Sequence, residues 1–295
     1  MTEYNIVVRT FKRYEMFKQM TYSMLQDNDL TDNLYIMVAN QDEKEKYEES
    51  MKGLPYKEIL IAGIGCHNPV KKAVEYFPKD SLLVFLDDDL EYFFEYTGTP
   101  SKETFSKKSK NLKKYIEWGF SKLDATINIF TFLYVQNYFF IATKPFAEFR
   151  PVNISGGFFG ARNSELLTTD HAHLDDIHRT CNYIEEFGGA LIFNWGGFAT
   201  KTGYNEGGMQ DSGCRGDEST RKERILEICN EVYALPVMKK YCNPPRLVNH
   251  TGMYEVKLKT ITAIKKLRHF KHTKWLTYFQ DDAIVMHENS LEELM

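Results

Sequence analysis

The sequence has little cysteine and no long apolar run. Its five cysteines are scattered and form no C-x-x-C pair, so neither a disulfide framework nor a zinc knuckle is predicted. No stretch reaches the roughly 18 uninterrupted apolar residues that a membrane helix needs. The first residues also lack a basic segment followed by an apolar one, which is the pattern of a secretory signal. We therefore expect a globular protein of the cytoplasm with reduced thiols.

Charge is small in sum but segregated along the chain. The 295 residues carry a net charge of −4, yet residues 101–122 hold seven lysines and two glutamates. Residues 256–274 hold seven Lys or Arg residues, two histidines and no acid, whereas residues 281–295 hold five acids and no Lys or Arg. One basic stretch can be a solvated helix face, but two of them together favour a polyanionic partner.

The first ninety residues alternate apolar runs with helical stretches. The apolar runs are NIVVRTF, NLYIMVANQ, KEILIAGIG and SLLVFLDDDL. Continuous apolar runs are typical of strands that are covered on both faces, and the helices between them predict βαβ units in a mostly parallel sheet. Because ligands of such sheets bind beyond the carboxyl ends of the strands, we expect functional residues there.

After residue 100 the pattern is mixed. Residues 126–146 are rich in β-branched and aromatic side chains and predict two strands. Residues 170–188 predict a helix that ends at Gly188. Residues 203–216 are rich in glycine, which predicts a binding loop or a lid instead of regular structure.

Three consecutive aspartates, Asp87, Asp88 and Asp89, follow the fourth apolar run. Adjacent carboxylates repel one another unless a cation or hydrogen bonds compensate. Mg²⁺ and Mn²⁺ prefer oxygen ligands and are usually held by one or two carboxylates plus substrate phosphates. Alternation along a strand predicts that Asp87 and Asp89 face the metal while Asp88 points elsewhere. A plain acidic turn is the simpler interpretation, but the position after a βαβ strand favours a metal site.

In their order along residues 4–254, these motifs resemble those of GT-A glycosyltransferases, in which a D-x-D-like strand end holds a divalent metal against a nucleotide-sugar diphosphate. The resemblance implies a GT-A-like single α/β domain with a mostly parallel, Rossmann-like nucleotide-binding half and a mixed acceptor-binding half. It implies Mn²⁺ or Mg²⁺ as cofactor and a UDP-sugar as donor. The implied donor-binding residues are Arg9, Thr10, Arg13, His67, Asn68, Asp87 and Asp88. The implied metal ligands are Asp87, Asp89 and the late His250. The implied domain is 1–254, with halves at 1–100 and 101–254, followed by a basic segment with an acidic tail at 255–295.

The resemblance also assigns an acceptor side. The segment ISGGFFGAR, which contains Gly156 and Gly157, is similar to the acceptor-side glycine segment of the family. Asp175 and Asp176 match an acidic motif that opens a helix, so either is a candidate general base for an acceptor hydroxyl. Acids in a first helical turn are also stabilised by the helix dipole without any catalytic role. The other acceptor-binding candidates are Trp195 and Lys201.

The predicted acceptor depends on the basic stretches. A DNA acceptor requires Lys and Arg side chains for its phosphates, and the candidates are Lys265, Lys266 and Arg268. Small glycosyltransferases with basic segments resemble those of tailed phages that glycosylate hydroxymethylated pyrimidines, which makes 5-hydroxymethylcytosine in phage DNA the expected acceptor, reached by base flipping in the host cytoplasm. Three alternatives are a glycan or protein acceptor, a metal-dependent nuclease or nucleotidyltransferase, and a non-catalytic nucleic-acid-binding module.

Overall fold

The computed structural model describes residues 3–96, 107–133, 141, 144–171, 173–200, 208, 219–249, 251–267 and 277–278. Within these ranges the chain forms a large sheet, a small sheet and a separate hairpin, together with helices. None of the helices in the described ranges is long and apolar enough to cross a membrane.

The strands are short and begin close to the N-terminus. In chain order they are β1 (Asn5–Arg9), β2 (Leu34–Val38), β3 (Glu58–Ile61), β4 (Leu82–Asp87), β5 (Leu90–Glu95), β6 (Lys107–Lys108), β7 (Ile129–Phe132), β8 (Ala147–Arg150), β9 (Phe158–Arg162), β10 (Ala190–Phe193), β11 (Gly196–Thr200), β12 (Arg246–Val248), β13 (Met253–Glu255) and β14 (Thr277–Tyr278).

The large sheet has nine strands in the order β3-β2-β1-β4-β9-β7-β10-β8-β14. Strands β1 to β4 pair in parallel, as the apolar runs predict. Strands β8 and β9 run opposite to the other seven. The predicted α/β class with a mostly parallel sheet is therefore confirmed. The small sheet has the order β11-β5-β6, and β12 and β13 form the hairpin.

The helices connect and cover these strands. They are α1 (Tyr14–Phe17), α2 (Ser23–Asp27), α3 (Gln41–Ser50), α4 (His67–Tyr76), α5 (Leu112–Ser121), α6 (Asp175–Phe187), α7 (Arg221–Ala234), α8 (Pro236–Tyr241) and α9 (Ile261–Lys265). A π-helical turn, Lys18–Tyr22, joins α1 to α2. Helix α6 ends as predicted, because Gly188 adopts a left-handed φ of 92° directly after it. Of the two strands predicted over 126–146, the first is β7, and residues 134–140 lie outside the described ranges.

The core lies on both faces of the large sheet. Val8 and Leu86 belong to the cluster on one face, and Val7 and Phe85 belong to the cluster on the other. All four side chains are completely buried, which explains why the apolar runs are continuous and do not alternate. Each such burial contributes about 1.5–3 kcal/mol to folding. A third cluster joins α6, α7 and α8 to the β12–β13 hairpin.

The polar residues of the first half gather where strands end. Strands β1 and β4 are neighbours in the sheet, and Arg9 at the end of β1 is the register partner of Asp87 at the end of β4. The loop after β3 leads into α4 beside them. This edge of the sheet carries the candidate site.

Candidate active site

Arg9 and Asp87 form the centre of the site. The Nη2 of Arg9 donates to Asp87 Oδ1 at 2.5 Å and to the carbonyl oxygen of Gly156, and its Nη1 lies 3.5 Å from Asp175 Oδ2. The carbonyl oxygen of Gly157 accepts the Asp87 N–H at 3.1 Å. Burial alone would lower the pKa of the Arg9 guanidinium, but the carboxylates of Asp87 and Asp175 raise it. Arg9 is therefore a permanent, fixed positive charge.

Asp87, Asp88 and Asp89 form the acidic turn. Asp88 is its buried member, and it anchors the loop after β1. It is 4% exposed, and its carboxylate accepts hydrogen bonds from Thr10 Oγ1 at 2.7 Å and from Arg13 Nη1 at 3.0 Å. Burial raises the pKa of Asp88 to about 6, although Arg13 and Thr10 act in the opposite direction. The hydroxyl of Tyr47, from α3, hydrogen-bonds to Thr10 Oγ1 and accepts the Arg13 N–H. These contacts hold Arg13 over the turn.

Asp87 and Asp89 are the aspartates of the turn that keep exposed surface, 41% and 24% of their side chains. Strand β4 ends at Asp87, so Asp88 and Asp89 form a turn and do not alternate along a strand as predicted. The Oδ2 of Asp89 lies 3.4 Å from Arg13 Nη1.

The two exposed carboxylates fit a hard divalent cation that takes its other ligands from water and substrate phosphates. In the described part of the chain, no group of three or more His, Cys, Asp or Glu side chains is arranged to hold a metal ion. A cation at Asp87 and Asp89 would take its remaining ligands from water and from the phosphates of a bound substrate.

The first cleft lies between the end of β1, the acidic turn and the loop after β3. In that loop Gly63 and Gly65 have φ values of 92° and 108°, which favour glycine. Asn68 Nδ2 donates to the Ile64 carbonyl oxygen at 2.6 Å and closes the loop. His67 is not among the residues that line the cleft, and its buried Nδ1 makes no hydrogen bond. Neither His67 nor Asn68 lines the first cleft directly, and Asn68 contributes by holding the loop that does.

The second cleft opens on the other side of Arg9. It is lined by the glycine segment at Gly156, by the start of α6, and by a wall at residues 251–258 that includes β13. Arg9, Cys66 and Asp87 line both clefts. The two clefts therefore meet at the Arg9–Asp87 ion pair.

Asp175 is a buried, fully paired anion in the floor of the second cleft. Its Oδ1 accepts from Cys66 Sγ at 3.0 Å, and its Oδ2 accepts from Arg179 Nη2 at 2.9 Å. Arg179 is 0% exposed and stacks 4.5 Å from the ring centroid of Phe159. Burial by itself would raise the pKa of Asp175, but Arg179 and Arg9 outweigh it and lower the value to about 2. A carboxylate stabilised in this way is a poor proton acceptor.

Asp176, one residue later, has a different environment. It lines the second cleft next to the glycine segment, since a Cβ built on Gly156 would lie 3.6 Å from its own Cβ. Its Oδ1 accepts the Ile177 N–H at 2.8 Å. Burial and the neighbouring charge of Asp175 raise the pKa of Asp176. A raised pKa makes this carboxylate the better proton acceptor of the two.

Trp195 does not reach either cleft. It is 4% exposed, its Nε1 donates to the Lys144 carbonyl oxygen at 3.0 Å, and its ring packs edge-on against Phe146. The structure therefore does not place Trp195, an expected acceptor-binding residue, in the lining of either cleft.

The lysines expected to bind DNA line neither cleft. Lys265 ends α9, and Lys266 follows it on the surface. Gly208, the one described residue of the stretch 203–216, lines the first cleft, and its N–H donates to the Phe11 carbonyl oxygen at 2.9 Å. The predicted residues Lys201, His250 and Arg268 lie outside the described residues.

Cys66, Arg179 and the wall at 251–258 are parts of the site that were not predicted from the sequence. Arg179 follows Asp175 by four residues, which is the helical spacing of an ion pair and could have been recognised. Cys66 carries no signal, because a single cysteine in a loop has no spacing to interpret. The wall was hidden because its strands are only three residues long.

No protein-family model matches the chain, and no curated protein matches it significantly in sequence. Among solved structures it is similar to glucosyl-3-phosphoglycerate synthase from Mycobacterium tuberculosis, in complex with Mn²⁺, uridine diphosphate and glucosyl-3-phosphoglycerate, at 12% identity over 88% of this chain and 87% of that one, with a TM-score of 0.45. It is also similar to a mannosyltransferase from Pyrobaculum calidifontis in complex with GDP-mannose and Mn²⁺, at 11% identity over 99% and 87% of the two chains, with a TM-score of 0.43. A cytidylyltransferase from Leptospira borgpetersenii is similar at 15% identity over 81% and 90%, with a TM-score of 0.39. At such identities and TM-scores, these similarities identify neither a substrate nor a reaction. Both have to be inferred from the side chains that line the two clefts.

Proposed function

We propose that this protein is a metal-dependent glycosyltransferase that moves a sugar from a UDP-sugar to a hydroxyl group. The observation that carries the proposal is the meeting of two clefts at the Arg9–Asp87 pair, with exposed carboxylates and arginines on one side and the raised-pKa carboxylate of Asp176 on the other. A group-transfer enzyme needs this arrangement, because donor and acceptor must approach one bond from two directions.

The first cleft suits the diphosphate of the donor. Asp87, Asp88 and Asp89 oppose the two guanidinium groups of Arg9 and Arg13, so the turn as a whole carries one net negative charge. Asp87 and Asp89 would hold the cation, which supplies Lewis-acid stabilisation of the departing diphosphate when bound. Arg9 and Arg13 provide fixed positive charge at the place where the leaving group gains negative charge.

Asp176 acts on the acceptor. As the acceptor oxygen forms its bond to the anomeric carbon of the sugar, the bond from that carbon to the diphosphate oxygen breaks, and the hydroxyl proton passes to the Asp176 carboxylate. Asp175 is a positioning residue in this proposal, because its charge is committed to Arg179, Cys66 and Arg9. It fixes Arg9 between the two clefts.

The second cleft favours an acceptor group that is itself uncharged. Its described lining holds the carboxylates of Asp87, Asp175, Asp176 and Glu255 but only two permanent cations, Arg9 and Lys257. Both cations are already paired, Lys257 with Glu255 at 2.8 Å. A phosphate inside this cleft would face an excess of negative charge, whereas a neutral hydroxylated ring would not.

For the acceptor we propose 5-hydroxymethylcytosine in DNA, with only the neutral base inside the second cleft. The cleft wall at 251–258 continues directly into a lysine-rich segment, in which Lys266 is exposed. Lysines of this segment would contact phosphates while a flipped base occupies the interior. A neutral glycan would fit the interior of the second cleft equally well, but it carries no phosphates for the lysines to contact.

The test is a transfer assay with Mn²⁺ or Mg²⁺, a panel of UDP-sugars, and DNA with and without hydroxymethylcytosine, analysed by nucleoside mass spectrometry. We expect a sugar-sized mass gain on the modified nucleoside. Donor hydrolysis without DNA labelling would retain the transferase and reject the DNA acceptor, after which a panel of neutral glycans is the next acceptor set. DNA cleavage, or DNA binding with no turnover of any UDP-sugar, would reject the proposed function.

A further inference from the structure

The acidic turn is closed by a hydroxyl group from another element. Thr21 lies in the π-helical turn between α1 and α2 and is 0% exposed. Its Oγ1 donates to the carbonyl oxygen of Asp87 at 2.8 Å and accepts the N–H of Leu90 at 2.9 Å. One side chain therefore satisfies the two backbone groups that flank Asp88 and Asp89.

These two backbone groups are the pair that closes an ordinary β-turn. In such a turn the carbonyl of the first residue accepts the N–H of the fourth, which here are Asp87 and Leu90. The Thr21 hydroxyl contacts both of these groups, donating to the first and accepting from the second. The two ends of the turn that carries the Asp87 and Asp89 carboxylates are thus tied to one buried side chain from another element.

The local helix geometry explains how Thr21 reaches the turn. A π-helical turn contains one more residue than an α-helical turn, and such turns occur frequently at functional sites. Its neighbours Phe17 and Tyr22 are buried in the core, which fixes the helix on either side of Thr21. The β-branched side chain is also restricted in χ1, so the hydroxyl has little freedom to leave the turn.

We infer that Thr21 is a positioning residue for the divalent cation, because it sets the separation of the two carboxylates that would hold the ion. This inference depends on the proposed metal-dependent function. It predicts that loss of the hydroxyl weakens cation binding even where the fold survives. A purely structural hydroxyl would change stability and leave the affinity for the cation unaltered.

The test measures Mn²⁺ binding without turnover, by titration calorimetry or electron paramagnetic resonance in the presence of UDP. Thr21→Val keeps the shape of the side chain and removes both hydrogen bonds, whereas Thr21→Ser keeps the hydroxyl. We expect Thr21→Val to weaken Mn²⁺ binding by about tenfold or more, the usual effect of losing a group that orients a metal ligand. Thr21→Ser should remain near the wild-type affinity.

The matched control is Ser109→Ala. Ser109 is also buried, and its hydroxyl donates to Glu95 Oε1 at 2.8 Å and accepts the Asn111 N–H at 3.0 Å. It lines neither cleft, so this variant should lose thermal stability and keep its Mn²⁺ affinity. Wild-type Mn²⁺ affinity in Thr21→Val, or equal weakening in Ser109→Ala, would overturn the inference. Absence of Mn²⁺ and UDP binding in the wild-type protein would instead refute the proposed function.

Discussion

The same substitution at two adjacent aspartates should have opposite consequences. Asp176→Asn removes the proposed base but also relieves a buried carboxylate whose pKa is raised by burial and by Asp175. We expect kcat to fall by about 10²–10⁴-fold, the usual contribution of a general base. The melting temperature should stay at the wild-type value or increase, since an amide carries no charge for Asp175 to repel.

Asp175→Asn should instead destabilise the fold. Because its pKa is lowered to about 2 in the folded protein, the Asp175 carboxylate contributes to stability at neutral pH. Its loss also leaves Arg179, which is completely buried, without its anionic partner. Breaking such a pair typically costs about 3–5 kcal/mol. At the lower end of that range, the melting temperature should fall by about 6 °C for a chain of this size.

The two variants are compared by calorimetric melting and by steady-state transfer at saturating donor, with the acceptor found in the transfer assay. The two variants should differ in which quantity changes. Asp176→Asn should lower kcat and leave the melting temperature unchanged or higher, whereas Asp175→Asn should lower the melting temperature. Unchanged kcat in Asp176→Asn would remove it as the base. Equal melting losses in both variants would refute the assignment of the buried ion pair to Asp175 alone.

Four further predictions concern the site and its rim. Asp89→Asn should abolish metal-dependent turnover with an unchanged melt, and EDTA should do the same to the wild-type protein until Mn²⁺ is restored; near wild-type activity in the variant would exclude Asp89 as a ligand. Arg9→Lys keeps the charge but not the forked geometry, so kcat/KM should fall by about 10²-fold in the transfer assay. Because the pKa of Asp175 is lowered in the folded state, its contribution to stability is complete above the unfolded value of about 3.9 and is lost as the pH falls toward 2; urea unfolding at a series of acidic pH values should show a shallower loss in Asp175→Asn. Neutralising Lys265 and Lys266 should reduce the salt dependence of DNA binding by about 0.9 for each phosphate that the lysines no longer neutralise, and an unchanged slope in fluorescence anisotropy would remove this segment from the interface.

The large sheet was predictable because its signal is local. Val7, Val8, Phe85 and Leu86 are all buried, two on each face, so the apolar runs had to be continuous. The acidic turn was also recognisable, since three adjacent carboxylates at a strand end demand compensation. The compensating groups were less visible: the partners of Asp88 include a threonine and an arginine more than 70 residues earlier in the chain.

Other parts of the site depend on contacts between distant segments. Asp175 and Asp176 share a helical turn and a residue type, and only tertiary partners distinguish the anion from the proton acceptor. Tryptophan is a side-chain type that can stack on a sugar, but Trp195 is buried and packs against Phe146. The sequence does not reveal whether a ring is buried or exposed. Thr21 gives no pattern at all, because its role depends on one extra residue in a helical turn.

The arginines that pair with the acidic turn have a thermodynamic consequence. In the protein alone, Arg9 and Arg13 already neutralise the carboxylates that a cation would need. A cation that arrives by itself must compete with these guanidinium groups, whereas a diphosphate that arrives with it offers them new acceptors. Cation and nucleotide should therefore bind cooperatively, each raising the affinity of the other by the same factor. The acidic turn would then bind the cation tightly only together with the nucleotide, and it would bind the free cation weakly.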